Sequence, residues 1–255
     1  MRYTIDQGVG WIVLDNPSKH NAMTLVMWQQ LSDAVATMAQ DATVRCVVVR
    51  GEGERAFCAG ADIDEKQGKS AEQSAADTQR TFAALEDLHA LPKPVVAMLS
   101  GYCLGGGLAL ALSCDLRLAS ANTMLGIPAA KLGIAYLYTA VKRLTDLVGP
   151  AWARQILYTA DRLSAQQALR IGLVNEVVEP GRLHDFVSGM AGRIAANAPL
   201  SIAAAKHAVA VAVSDPPGRD LSGCEARLLT CLGSADFEEG RHAFREKRAP
   251  VFHGR

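Results

Sequence analysis

Charge of one sign is what this chain most lacks. Lysine plus arginine number 26, and so do aspartate plus glutamate. That balance, with no lysine/arginine run, argues against a bulk electrostatic pull on nucleic acid or a membrane surface. A local basic patch for one phosphate group stays compatible with it. No uninterrupted apolar run reaches about 18 residues, so no transmembrane helix is expected. The opening residues MRYTIDQGVG have no apolar core region and no cleavage site of the secretory kind. The six cysteines (Cys46, Cys58, Cys103, Cys114, Cys224 and Cys231) form no CxxC and follow no regular spacing. They read as buried free thiols in a reducing compartment. The six histidines are scattered, with no HExxH and none near a cysteine pair, so no metal site is expected. The default that remains is a cytoplasmic enzyme.

What the chain does have is glycine in telling places. Residues 101–112 read GYCLGGGLALAL, three consecutive glycines at the mouth of an apolar run. Residues 57–62 read FCAGAD, another turn after an apolar strand. A glycine in such a turn lets a ligand oxygen approach the backbone, since no Cβ blocks it. Two turns that each offer one N–H would make an oxyanion hole, and the implied chemistry places negative charge on a carbonyl oxygen.

The 255 residues suit one large domain, or one domain with a helical appendage. Hydrophobic residues at 49% and charged residues at 20% are enough for a sizeable core. Short β-rich runs alternate with helical stretches. Strands are expected at 11–14, 46–49, 95–99, 116–119 and 174–178. Thr24 can cap a helix to about Gln40, with Leu25, Trp28, Leu31, Val35 and Met38 at helical spacing. A polar-faced helix is expected from Ala71 to Ala90. Pro150 fits the first turn of a helix to about Tyr158. Ser164 and Gln167 form a capping box for a helix ending at Gly172. From Gly181 the chain reads mostly helical, broken at Asp215-Pro216-Pro217-Gly218.

FCAGAD, KPVVAMLSGYCLGGGLALALSCD and LVGPAWARQILYTADRLSAQQALRIGLVNEVV together resemble the crotonase (enoyl-CoA hydratase/isomerase) superfamily. NPSKHNAM and EEGRHAFREKRAPVF extend the resemblance from Trp11 to the end. It implies an α/β fold, a spiral of ββα units over residues 1–195, with a C-terminal helical oligomerisation region over 196–255. It implies an acyl-CoA substrate, with coenzyme A part of the substrate and no separate cofactor, and a homotrimer or dimer of trimers. The N–H groups of Ala61 and Gly106 would hold the thioester oxygen. Lys19, Ala22, Ala59, Asp62 and Ile63 match positions that approach coenzyme A. Phe244 and Lys247 match an aromatic and a base that reach it, sometimes across a subunit contact. RNA-binding members exist in the superfamily, but zero net charge disfavours RNA here.

Two carboxylates of family hydratases are missing. The GGGxE position is Ala109 and the GxPE position is Ala129. The position where some isomerases and dehalogenases carry an aspartate is Leu137. Alanine moves no proton, and general acid–base groups contribute typically 10²–10⁴-fold. Ala109, Ala129 and Leu137 would instead wall an apolar acyl pocket. Tyr136, in a GxxY pattern, resembles the tyrosine of the methylmalonyl-CoA decarboxylase branch. Decarboxylation needs no base to take a carbon-bound proton, which suits an acid-poor site. That branch carries a histidine after its AG turn, where this chain has Ala61. A packing role for Tyr136, its hydroxyl on a backbone carbonyl, is the competing expectation. Asp64 and Glu65 are read as surface charges and Asp115 as a structural carboxylate. The alternative to an enzyme is a catalytically inactive acyl-CoA-binding homologue.

Overall fold

The computed structural model describes every residue except 63, 64, 66 and 67. The chain opens with a hairpin that the sequence patterns did not announce. Strand β1 (Arg2–Asp6) pairs antiparallel with β2 (Val9–Leu14). Gln7 and Gly8 between them both have positive φ, 46° and 81°. That is the turn geometry matching the twist of paired strands, and glycine is the residue that adopts it without strain.

The rest is a repeating coil. Each turn gives one strand to a first sheet, the next strand to a second sheet, and then a helix. The first coil is β3 (Cys46–Gly51), β4 (Ala56–Cys58) and α2 (Ala71–Ala90). The second is β5 (Val95–Leu99), β6 (Tyr102–Leu104) and α3 (Gly106–Leu112). The third is β7 (Leu116–Ser120), β8 (Met124–Gly126) and α4 (Tyr138–Thr159). The larger sheet runs β1-β2-β3-β5-β7-β10, with β10 at Glu176–Val178. The smaller runs β4-β6-β8-β9, with β9 at Leu163–Ser164. Successive coils pair parallel in both sheets. This is the expected ββα spiral.

Alternation along β3 explains the apolar run Cys46 to Val49 within it. Val47 and Val49 face the main core, with Trp28, Leu31 and Met38 of α1 (Leu25–Gln40) and Leu85 and Leu88 of α2. Cys46 and Val48 face the other way, onto Leu183, Val187 and Ala191 of α6 (Leu183–Ala196). A strand covered on both faces needs no polar side. Thr24 caps α1 as expected, accepting from Met27 N–H at 3.2 Å, a contact worth about 1 kcal/mol. Ser164 and Gln167 close their capping box at the start of α5 (Ala165–Arg170).

One expected helix is longer than its pattern. Pro150 does open a helical stretch, but α4 begins at Tyr138 and is broken at Gly149, whose φ is 74°. The first half lacks a side-chain cap, so nothing local marked its start. After α6 come α7 (Pro199–Ala212), a 3-10 turn at Pro216–Gly218, α8 (Leu221–Leu232) and α9 (Ala235–Glu246). Among the described residues no single helix is long and apolar enough to cross a membrane.

Candidate functional site

Two backbone loops meet where β4 and β6 end. The first is the turn at Ala59–Asp62. It is stitched to the loop at 16–24 by main-chain bonds: Ala59 N–H to His20 C=O at 3.0 Å, Met23 N–H to Gly60 C=O at 2.8 Å, and Asp62 N–H to Met23 C=O at 2.9 Å. The last two form a parallel bridge between Met23 and Ala61. In such a bridge the bonds go to the neighbours of Ala61, so Ala61's own N–H faces away from Met23. Gly60 turns the chain with φ at 119°, a conformation natural only to glycine. Its N–H is held by Cys58 Sγ at 3.4 Å. Burial pushes the Cys58 thiol up to about 12, so it stays a neutral thiol.

The second loop is Gly105–Gly107. Gly105 precedes α3 with φ 51° and ψ −119°. Its N–H donates to Gly126 C=O at 2.9 Å. Gly107 is pressed so tightly on β4 that a Cβ there would lie 2.2 Å from Cys58 C=O. Gly106, between them, faces Ala61: a Cβ on Gly106 would lie 3.3 Å from the Ala61 nitrogen. Among the described residues neither the Ala61 nor the Gly106 N–H finds an acceptor. Both residues are half-buried rather than sealed. Two adjacent donors without an acceptor among the described residues, both partly desolvated, can bind one oxygen that gains negative charge.

The three positions expected to carry an acid are apolar. Ala109 is buried one turn into α3. Ala129 lies in the 3-10 turn Pro128–Leu132, and Leu137 immediately precedes α4. Ala129 and Leu137, with Tyr136, pack against the same core as Ala109. Glu65 is engaged elsewhere, its Oε2 accepting from Leu25 N–H at 2.8 Å at the start of α1. Asp115 is structural, as expected, accepting from Val95 N–H at 2.7 Å and from Lys206 at 2.9 Å. Asp64 and the expected coenzyme contact Ile63 lie outside the described residues. No cluster of three or more metal-ligating side chains occurs among the described residues.

The 59–62 turn and the 16–24 loop together hold four of the expected coenzyme contacts. Lys19 and Asp62 form an ion pair at 2.8 Å, with Asp62 buried and Lys19 partly exposed. Ala22 follows Lys19, its N–H on Lys19 C=O at 3.0 Å, and Ala59 lies across from His20. Phe244 and Lys247 are not brought there within one chain. Phe244 is 86% exposed and lies in a cleft with Leu200, Cys231 and Phe252. Lys247 ends α9 in a left-handed conformation, φ 55°.

Tyr136 has a specific partner. Its hydroxyl donates to Gly105 C=O at 2.8 Å. Burial raises its pKa well above the ordinary phenol value. Asn21 is a residue that the sequence patterns missed. Buried and left-handed (φ 57°), it donates to Ala56 C=O at 2.7 Å and to Glu52 C=O at 3.0 Å, and accepts from Asn16 N–H at 3.1 Å. It ties the 16–24 loop to β4. Asparagine's tolerance of left-handed backbone is the one signal that could have marked it.

Comparison with known proteins agrees with this fold. A family model described as enoyl-CoA hydratase/isomerase matches residues 4–255. The crotonyl-CoA hydratase of Syntrophomonas wolfei is 37% identical, the match covering 94% of this chain and 93% of that protein. The carnitinyl-CoA dehydratase of Proteus mirabilis is also 37% identical, over 96% and 94%. The crystal structure of an enoyl-CoA hydratase from Bacillus anthracis superposes with a TM-score of 0.94 at 32% identity, covering 100% of both chains.

Proposed function

The chain belongs to the enoyl-CoA hydratase/isomerase family, and from that premise we propose that it holds an acyl-CoA thioester oxygen between the N–H groups of Ala61 and Gly106 and uses a reaction that needs no carboxylate base. The observation that carries this reading is the pair of N–H groups without an acceptor among the described residues, taken with the apolar residues at the three positions expected to carry an acid, Ala109, Ala129 and Leu137. Decarboxylation of a malonyl-type thioester is the reaction that fits. The bond from Cα to the carboxylate breaks, its electron pair moves into the thioester as an enolate, CO₂ leaves, and Cα then takes a proton from water, releasing hydroxide. The two N–H groups stabilise the enolate oxygen, and the apolar walls solvate the departing carboxylate poorly.

Methylmalonyl-CoA and crotonyl-CoA separate the readings. The protein is expected to release CO₂ from the first and to hydrate the second poorly. Ala109→Glu with Ala129→Glu should raise crotonyl-CoA hydration by about 10²-fold or more, measured as loss of enoyl absorbance. Efficient hydration by the unaltered protein would overturn the base-free reading. Tight acyl-CoA binding with no turnover across a panel of thioesters would favour the inactive homologue.

The same reading includes self-association. Leu221, Leu228, Leu229 and Leu232 of α8 are all exposed in the single chain, at a spacing that puts them on one side of the helix. Trimers or paired trimers would cover them and offer the exposed Phe244 and Lys247 to a neighbouring coenzyme site. Light scattering is expected to give three or six chains per particle, and Leu228→Asp with Leu229→Asp to reduce that number.

A further inference from the structure

The Gly105 carbonyl accepts two hydrogen bonds. Ala109 N–H donates to it at 3.0 Å, as a normal helical bond, and the Tyr136 hydroxyl donates at 2.8 Å. This carbonyl and the Gly106 N–H belong to one planar peptide unit. Whatever fixes the C=O therefore fixes the direction in which the N–H points. Gly105 itself supplies little restraint, because glycine visits its φ of 51° and ψ of −119° about as easily as other conformations. Beyond the helical bond from Ala109, the restraint on this carbonyl comes from the segment that leads into α4.

We propose that Tyr136 is a positioning residue: it holds the Gly105–Gly106 peptide so that the Gly106 N–H converges with that of Ala61, and it strengthens that N–H as a donor. The second effect is hydrogen-bond cooperativity. A donor on the carbonyl oxygen draws electron density toward it and leaves the amide proton more positive. The inference rests on the reading above, in which the Gly106 N–H binds the thioester oxygen. It gives the GxxY tyrosine a role through the main chain instead of direct contact with a departing carboxylate. Because burial raises its pKa, the phenol remains a donor throughout the working pH range.

Tyr136→Phe removes one oxygen and keeps the ring. The test uses an unreactive acyl-CoA labelled with ¹³C at the thioester carbonyl, read by infrared difference spectroscopy in the unaltered protein and the variant. In the unaltered protein the stretch should move to lower frequency on binding. In Tyr136→Phe that downshift should shrink, kcat should fall about five- to tenfold, and KM should stay within about twofold. The pH profile of kcat should keep its shape, since a hydroxyl that does not ionise leaves no limb in it. A downshift as large in the variant as in the unaltered protein would overturn the Tyr136 proposal alone. No downshift in either protein would instead remove the two-amide reading beneath it. Loss of one limb of the pH profile in Tyr136→Phe would mean that the phenol transfers a proton, and the positioning role would fall. A thermal melt of the variant close to that of the unaltered protein is the accompanying check that both are folded.

Discussion

Ala61→Pro is expected to lower kcat about 10²–10³-fold, the cost of losing one oxyanion donor. Proline differs from other replacements in having no N–H. The Ala61 N–H makes no bond within the described fold, so its removal leaves no intramolecular partner unsatisfied. Folding, followed by circular dichroism and thermal melting, should change little. Ala61→Ser is the control. It keeps the N–H and alters only the side chain, so it should retain most of the activity. Activity in the proline variant as high as in the unaltered protein would show that this N–H does not touch the reacting oxygen. Equal loss in both would point to the side chain or to local distortion.

Gly107→Ala is expected to damage both stability and activity. The added Cβ would lie 2.2 Å from Cys58 C=O and 2.8 Å from Cys58 Cβ. Cys58 is buried within β4, and a backbone oxygen cannot swing aside as a flexible side chain could. Overpacking of this kind costs about 1–3 kcal/mol, or roughly 2–12 °C in Tm for a chain of this size. The relief available is for α3 to move off β4, which carries Gly106 away from Ala61. Activity should therefore fall further than stability alone explains. Gly192→Ala, in the exposed part of α6, provides the contrast: nothing lies within 4 Å of its Cβ position. There the same substitution should raise stability by about 0.5–1 kcal/mol, because alanine is the better helix former. Differential scanning calorimetry of the two variants checks the opposite signs. A Gly107→Ala melting point at or above that of the unaltered protein would mean that α3 is not fixed on β4 as described.

Much of this site was legible because its chemistry is carried by backbone and marked by glycine. CAGAD and GGG each announce a turn that side chains could not make, and their order after apolar strands placed them at strand ends. The missing acids were legible too, since alanine at positions 109 and 129 is a statement about chemistry that needs no coordinates. Less could be read where a residue's role depends on its partner. Arg117, the one charge in the run LRLA, carries no local sign of its partners. It is 3% exposed, and its guanidinium donates to the carbonyls of Leu173 at 2.9 Å and Cys114 at 2.8 Å. Lys19 and Asp62 are 43 positions apart and carry no mutual signal, yet they form an ion pair. The first half of α4 escaped notice because it has no cap.

The chain's own order of residues determined which local conformations were available. Apolar runs became strands, capping residues opened helices, and glycines permitted the two tight turns, all through short-range sterics and hydrogen bonding. Tertiary structure alone decided what those pieces face. Stacking the coils set Ala61 N–H beside Gly106 and placed the Tyr136 hydroxyl on the Gly105 carbonyl from 31 residues away. Such contacts depend on how layers pack, and packing is set by the sum of many burials that no single motif encodes.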